Sequence, residues 1–155
     1  MHFSLRDFQA ADFEQVWRID QECFAPGISY SRRELAFYIR RRAAFTLVAE
    51  LEGGRPGDLN PIVGFIVAQT ISGSGHIITI DVAPRARRSG LGSSLLGAAE
   101  DRLMALKCLA VTLETAVDNI GALAFYKRHG YSVRKIIPRY YPNGVDAFSL
   151  NKEIV

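Results

Sequence analysis

The chain has 155 residues, of which 48% are hydrophobic and 23% are charged, and its formal net charge is +3. This length and balance predict one globular domain over residues 1–155, and the mild charge suits an anionic ligand without indicating a nucleic-acid partner. No apolar run approaches the ~20 residues of a membrane span, so no membrane partner is expected.

The first half of the chain predicts two helices between a short strand and a hairpin. Apolar residues recur at helical spacing in the first helix, and Ser31 with Glu34 forms a capping box that starts the second. The first four strands favour antiparallel pairing. The predicted elements are strand 2–6, helix 10–24, helix 31–42, strand 44–51, a loop at 52–61, strand 62–71 and a tight turn at 72–75.

The second half predicts an alternation of strands and helices. Two strands flank its first helix, so they form a β-α-β unit and are expected to be parallel. Gly130 ends its second helix in the left-handed conformation. The whole order predicts an α/β fold, a mixed sheet of about seven strands with helices on both faces. The predicted elements are strand 76–82, helix 90–107, strand 109–115, helix 119–129, strand 131–137, a loop at 138–144 and strand 147–154.

Residues 77–96, IITIDVAPRARRSGLGSSLL, have the form of a strand, a glycine-rich turn and a helix start. The first N–H groups of a helix have no intrahelical partner, and with the helix dipole they form an anion site. Gly90 and Gly92 let the backbone approach such an anion without a Cβ in the way. Arginines within residues 85–88 add mobile positive charge beside it.

Three phosphate-binding motifs compete for this turn. A P-loop requires a lysine that does not follow Gly92, and a Rossmann fingerprint requires a third glycine where Leu95 stands, although Glu114 lies at the spacing of its ribose-binding acid. The third motif, Arg-x-x-Gly-x-Gly preceded by Val-x-Pro, resembles the pyrophosphate motif of the GNAT superfamily of acyl-CoA N-acyltransferases. An ordinary glycine-rich turn with a solvated basic cluster is the alternative. The resemblance implies that acetyl-CoA is held by Arg87, Arg88, Ser89, Gly90, Leu91, Gly92 and Ser93.

A second stretch, residues 118–131, also resembles a GNAT signature, Asn-x-x-Ala-x-x-Phe-Tyr-x-x-x-Gly-Tyr. In that family the asparagine and the tyrosine approach the acyl-CoA, which implies cofactor contacts for Asn119 and Tyr126. The tyrosine can return a proton to the leaving thiolate. A plain helix N-cap for Asn119 and a core aromatic for Tyr126 are the alternatives.

Glu114 stands in a strand that is otherwise apolar. A carboxylate there costs free energy unless it is paired or faces water. It is therefore either a salt-bridge partner of a nearby arginine or a general base at a cleft in the sheet.

Residues 138–147, PRYYPNGVDA, look like the corresponding loop of RimI-type ribosomal-protein alanine acetyltransferases and other Nα-acetyltransferases. Residues 22–31 resemble their substrate loop, although the usual Pro-Trp-Ser is replaced by a longer segment without Trp. Paired tyrosines in such a loop either pack as a lid or clamp a peptide. His76 stands where some of these enzymes carry a second catalytic group, or is a surface histidine. The implied substrate contacts are Phe24, Tyr30, His76, Tyr140 and Tyr141.

The resemblance implies direct transfer of acetyl to a primary amine, with Glu114 as base and Tyr126 as acid. The backbone amides of residues 80–82 (Ile80, Asp81 and Val82) would hold the pantetheine arm and polarise the thioester carbonyl. An α-amino group of pKa ~8 costs about 1.4 kcal/mol to deprotonate near neutral pH, whereas a lysine of pKa ~10.4 costs more than ~4 kcal/mol. A protein N-terminus is therefore the favoured acceptor. A small amine, a lysine, or a non-catalytic acyl-CoA-binding module are the alternatives.

Cysteine usage and the first residues indicate the cellular setting. Cys23 and Cys108 are the only cysteines, and neither has metal-ligand spacing around it. The first residues contain no apolar signal-peptide segment. We therefore expect a cytoplasmic protein with reduced thiols and no metal site.

Overall fold

A computed structural model of the chain describes residues 2–53 and 61–155, so most of the loop predicted at 52–61 lies outside the described residues. The strands and helices follow the predicted order, with two short 3-10 turns at Ala10–Asp12 and Pro84–Ala86. The elements are β1 (Phe3–Asp7), α1 (Phe13–Cys23), α2 (Arg32–Arg40), β2 (Ala44–Leu51), β3 (Ile62–Ile71), β4 (Ser74–Val82), α3 (Leu91–Ala105), β5 (Ala110–Ala116), α4 (Ile120–Arg128), β6 (Ser132–Ile137) and β7 (Ala147–Glu153).

The seven strands form one sheet in the order β1-β2-β3-β4-β5-β7-β6. Each neighbouring pair is antiparallel except β4 and β5, which are parallel because α3 connects them. Both expectations for strand direction are confirmed. The sheet is mixed because a crossover helix separates one pair of strands while short loops join most of the others.

Two apolar clusters show that helices cover both faces of the sheet, as predicted. On one face, α1 and α2 pack on β2 and β3 through side chains that include Val16, Leu35 and Phe65. On the other face, α3 and α4 pack through a cluster that includes Leu95 and Tyr126. Burial of these side chains gives most of the stability of both helix layers.

The capping box predicted for α2 is present. The Ser31 side chain accepts a hydrogen bond from the Glu34 amide at 3.1 Å, and the Glu34 carboxylate accepts one from the Ser31 amide at 3.0 Å. The helix ends at Arg40, two residues before its predicted end, because Arg41 takes an extended conformation with ψ 139°.

The turn between β3 and β4 is shorter than predicted. Only Ser72 and Gly73 form it, both with positive φ (49° and 81°), and β4 begins at Ser74. A two-residue turn with this backbone matches the twist of a hairpin. The prediction of a four-residue turn at 72–75 was therefore wrong, and the correct turn sets Gln69 directly opposite His76.

The parallel strands β4 and β5 pair only at their beginnings. Gly75 lies beside Val111 and His76 beside Thr112, and the described ladder contains no pair beyond these. The strands then diverge, which opens a cleft in the middle of the sheet toward the start of α3.

Candidate active site

The cleft between β4 and β5 has a volume of about 760 Å³. Its walls are the diverging strands, α4, the α1–α2 loop (residues 24–31) and the β6–β7 loop (residues 138–146). The sequence-predicted site residues that line it are Phe24, Tyr30, Ile80, Val82, Arg87, Glu114, Asn119, Tyr126, Tyr140 and Tyr141.

Glu114 is held by two side chains on one of its oxygens. Its Oε1 lies 2.7 Å from His76 Nε2 and accepts a hydrogen bond from the Tyr140 hydroxyl at 3.3 Å. The Glu114 side chain is 14% exposed, and the His76 side chain 23%. His76 is therefore not a surface histidine, and the partner of Glu114 is this imidazole rather than an arginine.

The imidazole of His76 is held from its other side by Gln69. Gln69 Nε2 lies 3.1 Å from His76 Nδ1, and Gln69 is 3% exposed. When the amide donates to Nδ1, the imidazole proton is on Nε2 and is donated to Glu114. Glu114 Oε2 forms no hydrogen bond within the described part of the chain, so one carboxylate oxygen can accept a proton in the cleft.

Sequence reasoning missed Gln69. The signal that identifies it is the turn: a two-residue hairpin at Ser72 and Gly73 places Gln69 across from His76. The predicted four-residue turn sets Ile71 opposite His76 and Gln69 opposite Ile78, so it does not bring Gln69 to His76.

Tyr126 occupies the last turn of α4 and is 8% exposed. Its ring packs at right angles to those of Phe125 and Tyr131, with centroid distances of 5.4 and 6.0 Å. Burial raises the pKa of Tyr126, and the nearby carboxyl of Asp81 adds to the rise. The phenol therefore keeps its proton at neutral pH, and its hydroxyl makes no hydrogen bond to another described residue. Such a group is a proton donor at the cleft wall.

The start of α3 carries the free amides that the sequence indicated. Gly90 has φ +81°, and Ser94 is the first residue whose amide bonds back to the Gly90 carbonyl, at 3.1 Å. The amides at positions 91–93 therefore have no partner within the helix. A Cβ on Gly90 would meet open space, so its positive φ is what requires glycine there.

Gly92 also lies close to α4, in addition to its predicted role at the cofactor. A Cβ on Gly92 would lie 3.2 Å from the Phe125 ring and 3.9 Å from Val82. A larger residue at this position would therefore press on the Phe125 ring of α4. Phe125 and Val82 both line the cleft, so the start of α3 lies beside it, although residues 88–93 are not among the lining residues.

The basic residues and Ser89 of this turn are partly engaged already. Arg87 Nε donates to the Val82 carbonyl at 3.3 Å and its Nη2 to Cys23 Sγ at 3.7 Å, so this cation is held at the cleft wall rather than mobile. The Ser89 hydroxyl donates to the Ala86 carbonyl at 2.5 Å and shapes the turn. Arg88 is exposed and has φ +62°.

Asn119 caps α4, and its predicted cofactor contact, which a capping role does not exclude, stays a prediction. Its side-chain oxygen accepts a hydrogen bond from the Ala122 amide at 3.1 Å, and the residue also lines the cleft.

At the other end of α4, His129 Nε2 lies 2.8 Å from the Ser93 hydroxyl. The two helices beside the cleft are thus joined at the start of α3.

Two loops meet over the outer part of the cleft. Gly27 of the α1–α2 loop has φ +88°, and a Cβ there would lie 2.8 Å from the Cβ of Asn143 in the β6–β7 loop. In the second loop the rings of Tyr140 and Tyr141 are perpendicular, with centroids 4.9 Å apart. Burial raises the pKa of Tyr141 to about 12, so its hydroxyl stays neutral. These loops form an aromatic opening beside Glu114.

The side chain of Asp81 does not line the cleft, unlike its neighbours Ile80 and Val82. It is 1% exposed and accepts a hydrogen bond from the Thr79 hydroxyl. Contact between a ligand and the backbone amide of Asp81 stays a prediction. Within residues 2–53 and 61–155, no helix has the length and apolarity to cross a bilayer, and no three His, Cys, Asp or Glu side chains group as a metal site.

The sequence matches the protein family described as "Acetyltransferase (GNAT) family" over residues 13–131. It is 33% identical over 150 residues to an uncharacterized N-acetyltransferase of Methanocaldococcus jannaschii, with 96% of this chain and 90% of that protein covered. It is 28% identical over 152 residues to an N-alpha-acetyltransferase of Sulfurisphaera tokodaii, with 94% of this chain and 90% of that protein covered.

Solved structures share the architecture. The ribosomal-protein-S18-alanine N-acetyltransferase of Escherichia coli superposes with a TM-score of 0.85 at 22% identity, covering 99% of this chain and 94% of that one. Two further structures, with TM-scores of 0.84 and 0.85, were crystallised with CoA or acetyl-CoA. At these identities the likeness establishes the fold alone.

Proposed function

Since the chain belongs to the acetyltransferase (GNAT) family and is therefore an N-acyltransferase, we propose that it transfers the acetyl group of acetyl-CoA to the α-amino group of a protein N-terminus. One observation carries this proposal. The cleft holds a carboxylate, Glu114, with one oxygen fixed by His76 and Tyr140 and the other free, together with the buried phenol of Tyr126. A carboxylate and a phenol in one cavity support a proposed base and acid for the transfer.

The residues in and beside the cleft fit coenzyme A. The free amides at positions 91–93 and the adjacent Arg87 and Arg88 suit a pyrophosphate. The unpaired edge of β4 at Ile80 and Val82 suits the amide groups of a pantetheine arm. When bound, acetyl-CoA supplies an acetyl group already activated as a thioester.

The proposed chemistry divides proton handling between two side chains. Glu114 Oε2 takes a proton from the incoming ammonium, directly or through one water, while His76 and Tyr140 hold Oε1 in place. As the amine nitrogen bonds to the acetyl carbon and the carbon–sulfur bond breaks, Tyr126 supplies a proton to the leaving sulfur, and the second proton lost by the nitrogen restores the phenol. Cys23 is a poor nucleophile because burial raises the pKa of its thiol to about 11, so direct transfer without an acyl-enzyme is proposed.

An N-terminal amine suits a single carboxylate base better than lysine does. Its deprotonation near neutral pH costs about 1.4 kcal/mol, against more than ~4 kcal/mol for lysine. The aromatic opening formed by Phe24, Tyr30, Tyr140 and Tyr141 also suits a peptide backbone. A relative named N-alpha-acetyltransferase supports the same acceptor class.

The acceptor class is tested with three sets of amines. We expect acetylation of peptides with a free small N-terminal residue, and little or none of N-terminally blocked lysine peptides or of polyamines. Acetylation of only lysine peptides or only small amines would transfer the proposal to the alternative acceptor. Binding of acetyl-CoA without any transfer would instead identify a non-catalytic acyl-CoA-binding module.

The acid role is tested with Tyr126→Phe. We expect kcat to fall about 100-fold, the usual order for general acid–base catalysis, with the calorimetric Kd for acetyl-CoA within about twofold of wild type. Tyr131→Phe is the matched control, because the Tyr131 hydroxyl donates to Glu100 at 2.7 Å outside the cleft. Equal losses of kcat and acetyl-CoA affinity in Tyr126→Phe would contradict the acid role.

A further inference from the structure

Two buried carboxyl groups face each other beneath the cleft without a cation between them. Asp20 lies in the last turn of α1 and Asp81 in β4, and they are 0% and 1% exposed. Each carboxyl group acts on the other at close range, so the two side chains are neighbours in the interior. No described lysine, arginine or histidine forms a salt bridge with either one. A pair of buried, unpaired carboxylates would be strongly unfavourable.

The hydrogen bonds of the two carboxyl groups leave one oxygen of each without a donor among the described residues. Asp20 Oδ2 accepts the Tyr30 amide at 2.7 Å, and Asp81 Oδ1 accepts the Thr79 hydroxyl at 2.5 Å. Each group has one other oxygen, Asp20 Oδ1 and Asp81 Oδ2, that is buried and lacks any further donor among the described residues. Two carboxylate oxygens are both acceptors, so they bond to each other only through a proton.

We infer that Asp20 and Asp81 share one proton at neutral pH, and that this acid–carboxylate bond ties the α1–α2 loop to strand β4. Asp81 carries the proton and donates from Oδ2 to Asp20 Oδ1. Asp20 keeps the charge because the Tyr30 amide donates to it. Burial, with the neighbouring Asp20 second, raises the pKa of Asp81 well above its usual range, which agrees with this assignment.

The acid–carboxylate bond makes Asp20 and Asp81 positioning residues, a role that rests on the proposed function. Asp20 holds the amide of Tyr30, while Trp17 Nε1 and Gln21 Nε2 donate to the Tyr30 carbonyl at 3.2 and 2.7 Å. Tyr30 is thus fixed to α1 on both sides of its backbone. Asp81 lies between the two β4 residues that line the cleft. The bond therefore sets the spacing between the acceptor opening and the strand proposed to hold the thioester.

Among the described groups that act on the pair, none is a cation that replaces the proton. The titratable groups that act on the pair are Glu34 from α2, Cys23 from α1, Tyr30 from the loop and Tyr126 from α4. Glu34 raises the pKa of Asp20 further, and burial raises the pKa of the thiol and of both phenols, so these three stay neutral. Arg87 contacts the Cys23 sulfur rather than either carboxyl.

The shared proton makes stability depend on pH with a definite sign. An unfolded Asp releases its proton near pH ~4, whereas the folded pair retains one. The folded state therefore binds more protons above that pH, and stability falls as pH rises. One proton changes the unfolding equilibrium constant by about tenfold per pH unit until the folded pair itself titrates.

The experiment compares Asp81→Asn with Asp81→Ala, using Asp12→Asn as the control. Asn donates to Asp20 without a titrating proton, whereas Ala removes the bond. Asp12 is also buried, but it is ionised by its pair with Arg6 at 2.8 Å and lies outside the cleft. Difference infrared spectra at neutral pH should show the C=O stretch of a carboxylic acid in the wild type and in Asp12→Asn, and not in Asp81→Asn.

Two further measurements report on the hydrogen bond between Asp20 and Asp81. Amide exchange at Tyr30 should be about tenfold or more faster in Asp81→Ala than in Asp81→Asn, the order expected for loss of a hydrogen bond to a charged group. The acceptor KM of Asp81→Ala should exceed that of Asp81→Asn by a similar factor, with the acetyl-CoA Kd within about twofold. In Asp81→Asn, the unfolding equilibrium should lose one proton of pH dependence between about pH 5 and about pH 8.

The outcomes separate this inference from the proposed function. Absence of the carboxylic-acid band, or an unchanged pH slope in Asp81→Asn, would overturn the shared proton. Equal Tyr30 exchange in the two Asp81 variants would overturn the tie. Failure of every peptide as acceptor would overturn the proposed function alone, because the infrared, exchange and unfolding measurements do not use the reaction.

Discussion

At the scale of single residues, the proposed base Glu114 has one oxygen held by two neighbours and no hydrogen bond from a described residue on the other. A cation bound to both carboxylate oxygens would hold the charge and weaken the base. Here His76 and Tyr140 bind the same oxygen, Oε1, and Gln69 holds the imidazole from the other side. The buried amide of Gln69 thus fixes the orientation of the His76 imidazole. Through the imidazole it also positions Glu114, which Gln69 does not contact.

We expect Gln69→Leu to lower kcat by about three- to tenfold, a change of roughly one hydrogen bond, because His76 Nδ1 loses its donor and the imidazole can reorient. The acetyl-CoA Kd should stay within about twofold, since Gln69 does not line the cleft. Steady-state rates across pH and a calorimetric titration check this. An unchanged kcat and pH profile would show that Glu114 does not depend on the contact between Gln69 and His76.

At the scale of elements, the cleft exists because one strand pair separates while two loops meet. β4 and β5 pair only at Gly75 and His76, and Gly27 contacts Asn143 across the outer part of the opening. The β6–β7 loop is itself held by Asp146, whose side chain accepts the Arg139 amide at 2.8 Å. These loop contacts therefore shape the outer part of the cleft.

We expect Gly27→Ala to raise the acceptor KM about tenfold, because its Cβ would force Asn143 away, while acetyl-CoA affinity stays the same. Gly73→Ala is the matched control. It places Ala at φ +81° with no heavy atom within 4 Å, so both variants carry about 1 kcal/mol of backbone strain but only one has the clash. Urea unfolding and steady-state kinetics check this, and equal acceptor KM values in the two variants would contradict the loop contact.

At the scale of the whole molecule, two buried aspartates give stability opposite dependences on pH. The Arg6 guanidinium holds the pKa of Asp12 below its usual range, whereas burial raises the pKa of Asp81. Asp12 therefore contributes stability above the unfolded pKa of ~3.9, which is lost as pH falls through its folded pKa. The contribution of Asp81 instead falls as pH rises above the unfolded pKa. Together the two groups stabilise the folded state most at a pH between their folded pKa values.

We expect Asp12→Asn to lower the free energy of unfolding at neutral pH by about 1–3 kcal/mol, since a charge-assisted hydrogen bond from Arg6 is lost. The difference from wild type should shrink as pH falls below about 4, where Asp12 is protonated in the unfolded chain. Urea unfolding at several pH values measures this. A difference that stays constant down to acid pH would show that the Asp12 charge contributes nothing.

The sequence by itself determined the order and type of the elements, because caps, turns and periodicity are local. Ser31 with Glu34 starts α2, Gly130 ends α4 at φ +91°, and the crossover helix makes β4 and β5 parallel. The match to known motifs likewise uses short, contiguous stretches. Errors were confined to element ends and to one turn length.

Only the tertiary structure decided which side chains meet. Glu114 with His76, Gln69 with His76, and Asp20 with Asp81 each join different elements, and their contacts depend on strand register and on how the helices pack. A local pattern carries no information on such distances, because one residue of register reverses the face of every side chain in a strand. The turn at residues 72–73 is a local feature, and its length determines the register between β3 and β4.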